Sequence, residues 1–310
     1  MKFSRAEEYV LWLTGTALLA CACLAYAKSV TIDLNSFAFP VACNLAMLAV
    51  GQFYRIVRPD ERIAAVITAI SFLMFSGMVF SLLTYLQLPY RVHGGDQFIA
   101  KIDALLGFHW ASIVVVASKF PLFCDLLKQV YLSCAWQIAG TILALGLAKR
   151  LPEIGKFTLS LLIGAAITVQ IWALFPTSTP AAFQPLPEDV AQRLGLVVSP
   201  EQGAWLAQIS YNGLATIGHE TMVGIVGFPS YHTVLALTTL YFSRHVPIAH
   251  VPIALLTFLM VPAILIHGSH NLTDIFGGIA VTAVSIAIAR KLVDGRQAKT
   301  NSMQMSPTSI

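Results

Sequence analysis

Charge is what this chain has least of. Only 11% of its 310 residues are Asp, Glu, Lys or Arg, against about a quarter in a soluble domain. With 57% hydrophobic residues and a mean hydropathy of +0.74, too few polar groups remain to coat a water-soluble fold. A basic patch is missing too. The formal net charge is +4, and the basic residues are scattered through short loops, which excludes a nucleic-acid partner. Cys21, Cys23, Cys43, Cys124 and Cys134 all fall in apolar runs without a C-x-x-C spacing, so they read as small buried hydrophobes. The zinc-protease pattern H-E-x-x-H is begun by His219-Glu220 but position 223 is Val, which excludes the simple metalloprotease. His219 and Glu220 are left as loop residues or as part of the mouth of a site.

What is present is a series of long apolar runs. A membrane-crossing helix needs about 20 mostly apolar residues, and candidate spans lie at 9–27, 36–55, 63–88, 122–148, 157–175, 223–243, 250–267 and 273–290. The expected fold is all-α: a polytopic membrane helix bundle of about eight transmembrane helices. The first run, Tyr9 to Ala27, exceeds the roughly 7–15 residues of a signal-peptide core and reads as a retained helix. The polar tail, 294–310, is expected to be disordered and cytoplasmic.

Lysines and arginines set the orientation. With the N-terminus in the cytoplasm, thirteen fall on the inner side and six, Lys28, Arg91, Lys101, Lys119, Lys128 and Arg193, on the outer side, accounting for all 19. Both termini are then cytoplasmic. Two outer segments are not simple spans. DALLGFHWASIVVVASKF, 103–120, is short and mixed, and reads as an interfacial helix. The loop from Pro176 to about Met222 carries Pro176, Pro180, Pro185, Pro187 and Pro200, and its length suggests a lid or binding loop.

In this topology GFPSYH, 227–232, and HGSHNLTD, 267–274, meet at the outer membrane face. The histidines played no part in the charge count, so their convergence is an independent check. Titratable groups at this depth are expensive and usually functional. His270 and Asp274 are four apart and share one face of a helix. A carboxylate beside an imidazole fixes its tautomer and leaves the other nitrogen free as a nucleophile. His232 could then protonate a leaving oxygen. Two histidines and an aspartate suit phosphoryl transfer. A lone histidine at a helix end is usually only an interfacial residue; four polar residues converging on one face are not so easily explained.

These residues also carry a resemblance. Pro229-Ser230-Tyr231-His232 resembles the P-S-x-H motif of the type 2 phosphatidic acid phosphatase superfamily, and His270-x-x-x-Asp274 with Gly277-Gly278 resembles its last motif. HGSHNLTDIFGG, with His267 ahead of the motif histidine, is similar to the inositol-phosphorylceramide synthase (inositolphosphotransferase) branch. LFPTSTP (174–180) and DALLGFHW (103–110) look like segments of bacterial members of that branch. The resemblance spans about 100–290, dividing the chain into N-terminal helices (1–100), a phosphatase- or phosphotransferase-like membrane domain (101–293) and the tail (294–310). It implies His270 as nucleophile, Asp274 as its partner, His232 as general acid and Ser230 as a phosphate ligand, through a metal-independent phosphohistidine with no cofactor.

The sequence departs from the superfamily pattern in its cations. The K-x6-R-P motif finds Ala135-Trp136 after Lys128, and Ile264 stands where the phosphatases carry an arginine six residues before the nucleophile. The inositol-phosphorylceramide branch lacks that same arginine. Something must still stabilise an anion here. Lys128 is the first candidate, with pairing to Asp125 as the alternative, and Arg193 and Lys119 follow; Tyr131 and Gln137 share the helix of Lys128 and are noted only as polar.

The expected function is a membrane lipid phosphotransferase working at the non-cytoplasmic face of a bacterial inner membrane or a comparable one. Its partners would be the bilayer and a phospholipid or sphingolipid-type substrate. A lipid phosphate phosphatase is the alternative. A zinc site of His232, His267, His270 and Asp274 ranks lower, because a metal has no use for Pro229 and Ser230. A transporter would want polar groups at mid-membrane and broken helices in paired halves, whereas the helix interiors here read as largely apolar.

Overall fold

The computed structural model describes residues 3–89 and 94–304. Lys2, Arg91 and the last six residues of the expected tail lie outside them. The described backbone is a helical bundle. Its helices are α1 (Arg5–Lys28), α2 (Leu34–Ile56), α3 (Glu61–Leu86), α4 (Gly95–Leu105), α5 (Trp110–Ala117), α6 (Pro121–Leu132) and α7 (Cys134–Leu147). They continue as α8 (Leu151–Leu174), α9 (Glu188–Leu194), α10 (Pro200–Asn212), α11 (Tyr231–Ser243), α12 (Pro247–Ile266) and α13 (Leu272–Gln304). The only sheet among the described residues is a parallel two-residue pairing of β1 (Thr31–Ile32) with β2 (Thr216–Ile217).

Among the described residues six helices are long and apolar enough to cross a membrane, α1, α2, α3, α8, α12 and the Leu272–Gly295 part of α13, and the number reaches eight if the bent pairs α4–α5 and α6–α7 each count as one span. Large apolar side chains stand on the outside of the bundle, among them Trp12, Phe39, Trp136 and Phe258. A surface of this kind suits a hydrocarbon solvent, in which helices can satisfy their own backbones. The protein is an integral membrane protein.

Local chemistry sets the helix ends. α1 starts with a capping box in which the Ser4 hydroxyl accepts from the Glu7 N–H (3.3 Å) and the Glu7 carboxylate accepts from the Ser4 N–H (2.6 Å). Asp60 caps α3 by accepting from the N–H groups of Arg62 and Ile63. Prolines occupy the first turns of α6, α8, α10 and α12, where a missing N–H costs nothing.

Three spans differ from the sequence expectation. The 122–148 span is bent by 53° between α6 and α7. The break falls at Ser133, whose hydroxyl donates to the Val130 carbonyl (2.8 Å) and accepts from the Gln137 side chain (2.9 Å), a known way to bend a helix. The expected span 223–243 is helical only from Tyr231. Residues 223–230 run as irregular chain, because Pro229 cannot join the helix interior. The segment is tolerated because it is packed inside protein, with Ile225 4% and Ser230 0% exposed. The last helix continues to Gln304, so backbone expected to be disordered from 294 is helical that far.

The α4–α5 pair, bent by 64°, begins and ends at one end of the bundle. Gly95 packs on the Pro176 carbonyl beyond the end of α8. Asp103 binds the start of α13, Trp110 donates to the Leu265 carbonyl near the end of α12 (2.8 Å), and α6 starts beside His267. The start, middle and end of the pair are thus all anchored at that end of the bundle, and the expected interfacial helix at 103–120 covers its second half.

The two ends of the bundle differ in chemistry. At one, the buried Arg55 guanidinium grips Glu7, and Lys156 bridges Glu153 (3.1 Å) and Asp294 (2.8 Å). At the other, the ends of α1 and α3 are tied by Lys28, whose ammonium donates to the carbonyls of Gln87 and Leu88 (both 2.9 Å). α11 is the hub between them, packing on α7, α8, α12 and α13.

Breaking a buried ion pair from one side leaves the other charge stranded. We expect Glu7→Ala to destabilise the fold by about 3–5 kcal/mol, seen as a lower melting temperature in detergent. Combining it with Arg55→Leu should restore most of the loss. A single variant that melts with the wild type would show that the pair holds nothing.

Candidate active site

The site is assembled where the N-terminus of α11 meets the junction of α12 and α13. Asp274, one turn into α13, is the organiser. Its Oδ2 accepts from His270 Nδ1–H (3.0 Å) and from the Asn271 N–H (2.8 Å). Its main-chain carbonyl accepts from the Ser230 N–H (2.9 Å). Asp274 is wholly buried and His270 is 4% exposed. With its Nδ1 proton held by the carboxylate, His270 presents an unprotonated Nε2.

Ser230 is the N-cap of α11, its hydroxyl accepting from the Thr233 N–H (3.4 Å), so the P-S-x-H motif is also a helix start. One residue into α11, His232 stacks on Tyr131 of α6, with centroids 4.4 Å apart, and the Tyr131 hydroxyl lies 3.4 Å from His232 Nδ1. When His232 is the imidazolium, its Nδ1–H can donate to that hydroxyl oxygen and its Nε2 keeps a proton to give, the form a general acid needs. The His232 and His270 ring centroids are 6.4 Å apart. The two imidazoles are thus neighbours in one site.

Two glycines make this approach possible. A Cβ on Gly278 would lie 2.6 Å from the Ser230 carbonyl oxygen and from Thr233 Cβ, and one on Gly277 would strike the Phe228 ring at 2.5 Å. The pair Gly277-Gly278 is therefore the seam through which α13 touches the P-S-x-H loop.

Other residues reach the site through structure alone. Asp103 at the end of α4 is 2% exposed and accepts from the N–H groups of Leu272 (2.8 Å) and Thr273 (2.9 Å) and from the Thr273 hydroxyl. It caps α13 from outside and fixes the turn carrying His270. An acid in an apolar stretch was the sequence signal for it. The segment after α8 forms a strap across the site. Trp172 donates to the Thr177 carbonyl (2.9 Å), the Thr177 hydroxyl accepts from the Phe228 N–H (2.6 Å), and the Ala181 N–H donates to the Ser269 hydroxyl (2.8 Å). On its far side, Ser178 donates to Asp96 through N–H (2.6 Å) and hydroxyl (2.9 Å), beside a cavity of about 400 Å³ that Asp96 lines with Gln97, Ser210 and Tyr211.

The proposed cations are not joined to this cluster. Arg193 forms an exposed ion pair with Asp189 (2.7 Å). Lys128 is half-buried and turns toward Gly195, where a Cβ would lie 3.2 Å from its Nζ. Lys119 is exposed at the end of the α4–α5 excursion. Gln137 serves the α6–α7 bend, while Tyr131 is part of the site. His219 is exposed and packs edge-on against Phe37 (5.8 Å). His267 donates from Nε2 to the Cys124 carbonyl (2.9 Å). Among the described residues, no three His, Cys, Asp or Glu side chains form a group that could hold a metal.

A family model described as the PAP2 superfamily matches residues 97–288. The chain belongs to the PAP2 superfamily, the type 2 phosphatidic acid phosphatases. No curated protein and no solved structure matches it. Membership points to phosphatase or phosphotransferase activity on phosphate esters. The matched stretch contains every residue of the cluster.

Gly278→Ala should force α11 and α13 apart. We expect a destabilisation of about 1–3 kcal/mol, measured by thermal unfolding in detergent. Gly224→Ala, where a Cβ meets nothing within 4 Å, serves as the control. Equal melting of the two variants would remove the seam from this account.

Proposed function

We propose that this protein is a membrane lipid phosphotransferase that works through a phosphohistidine at the non-cytoplasmic face. The observation that carries the reading is the pairing of His270 with buried Asp274 opposite a second imidazole, His232, held by Tyr131. In the first step His270 Nε2 attacks phosphorus, the bond from phosphorus to the leaving oxygen breaks, and His232, entering as the imidazolium, delivers its Nε2 proton to that oxygen and becomes neutral. In the second step His232 takes the proton of an acceptor hydroxyl, the new oxygen bonds phosphorus, and the P–N bond breaks. Both residues return to their starting forms. Ser230 is proposed to orient a phosphoryl oxygen.

The similarity of HGSHNLTDIFGG to the inositol-phosphorylceramide synthase branch supports an alcohol as acceptor and a phospholipid or sphingolipid-type substrate. Water as acceptor would make the protein a lipid phosphate phosphatase. The placement of basic residues supports cytoplasmic termini and a site facing the periplasm or exterior of a bacterial inner membrane. Lys128 is the cation closest in sequence to Tyr131 and is proposed to support the anion from a distance; the exposed Arg193–Asp189 pair gives that arginine a weaker claim.

Incubating the protein in detergent with a ³²P-labelled membrane lipid extract and quenching in base should trap label on histidine. We expect His270→Ala to abolish the trapped label. Asp274→Asn should slow labelling by roughly 10²- to 10⁴-fold. Label that persists in His270→Ala would remove His270 as the nucleophile. Wild-type protein that takes up no label would remove the mechanism.

A further inference from the structure

The superfamily's cations are missing from this site, and the strap supplies what stands in their place. Residues 176–179 belong to no helix or strand, and Thr179 is extended at φ −102° and ψ 151°, where neighbouring side chains point to opposite faces. Ser178 faces outward to Asp96, and Thr177 faces inward to the Phe228 N–H just ahead of P-S-x-H. Thr179 therefore faces inward with Thr177, and two residues later the strap is pinned to Ser269 beside His270. Thr179 is 3% exposed, yet its hydroxyl makes no hydrogen bond.

Directly after His270, Asn271 is 1% exposed, and its side-chain Nδ2 likewise has no partner. Buried donors are almost always satisfied, and leaving one unsatisfied costs about 1–3 kcal/mol. Other such atoms occur in the bundle, but these two stand on the strap over the site and next to His270, where a ligand with acceptor oxygens would satisfy both.

We propose that the Thr179 hydroxyl and the Asn271 side-chain amide form a neutral cradle for the phosphoryl oxygens, taking the place of the superfamily's lysine and arginines. This rests on the phosphotransfer reading of His270. Neutral donors orient an anion but do not cancel its charge, and the desolvation cost of an ion grows steeply with that charge. A phosphodiester carries one negative charge, and a phosphomonoester about −1.5 to −2 at pH 7. The cradle therefore favours the diester.

The test compares bis(p-nitrophenyl) phosphate with p-nitrophenyl phosphate, a diester and a monoester sharing one leaving group, on the full-length protein in detergent. Wild type should show a kcat/KM at least tenfold higher on the diester. Thr179→Val and Asn271→Leu should each reduce diester turnover by roughly 10- to 100-fold without lowering the melting temperature. Thr179→Ser, which keeps the hydroxyl, should retain most of the activity. A monoester preference, or a Thr179→Val enzyme equal to wild type while His270→Ala is inactive, would overturn the cradle and leave the phosphohistidine standing. Wild-type protein inactive on both esters and unlabelled by the lipid extract would bring down the cradle and the mechanism together.

Discussion

One buried carboxylate holds this site together. Asp274 binds the His270 imidazole and the Asn271 N–H through one side-chain oxygen, and through its own main chain it receives the Ser230 N–H. The first two contacts shape the turn between α12 and α13, and the third attaches the start of α11 to that turn. Two motifs forty residues apart are thus joined by a single residue. Asp274 is itself placed by Asp103, which caps the start of α13 from the end of α4. Removing the carboxylate would take away tautomer control, a turn contact and the partner of a buried imidazole, so its role in folding is inseparable from its role in chemistry.

The N-terminal helices carry none of the motif residues, but they are not spectators. The loop leading to P-S-x-H is strung onto them at three points. β2 pairs with β1 beyond α1, the His219 N–H donates to Ser36 of α2 (2.8 Å), and the Tyr85 hydroxyl of α3 exchanges hydrogen bonds with Val223. A chain with no helix of its own from Gly213 to Ser230, apart from one 3₁₀ turn, needs such external supports. They hold Ser230 and His232 in register with α13.

Much of this was legible in the sequence. The apolar runs gave the bundle, because helix length and hydrocarbon thickness are fixed by the same physics. The basic-residue count brought GFPSYH and HGSHNLTD to one face, and the four-residue spacing put His270 beside Asp274. Hydropathy could not show where a helix bends, since Ser133 breaks α6 from α7 through a side-chain bond rather than through polarity. It could not show that α11 starts late, because Val223, Ile225 and Val226 are as apolar as a helix interior while belonging to packed, irregular chain. Nor could it single out Thr179 and Asn271, whose importance lies in lacking partners, a property that exists only once the chain has folded.

The shortness of α11 has a consequence for where a substrate must go. Thirteen residues make a rod of about 20 Å, against a hydrocarbon layer of about 30 Å. α12 starts close to where α11 ends and runs 20 residues, about 30 Å, back to the turn that carries His270 beside His232, so the height that α11 lacks is made up by the irregular chain of residues 223–230. A group approaching His232 therefore meets loop and strap, the contact between Thr177 and the Phe228 N–H included, before it meets a helix.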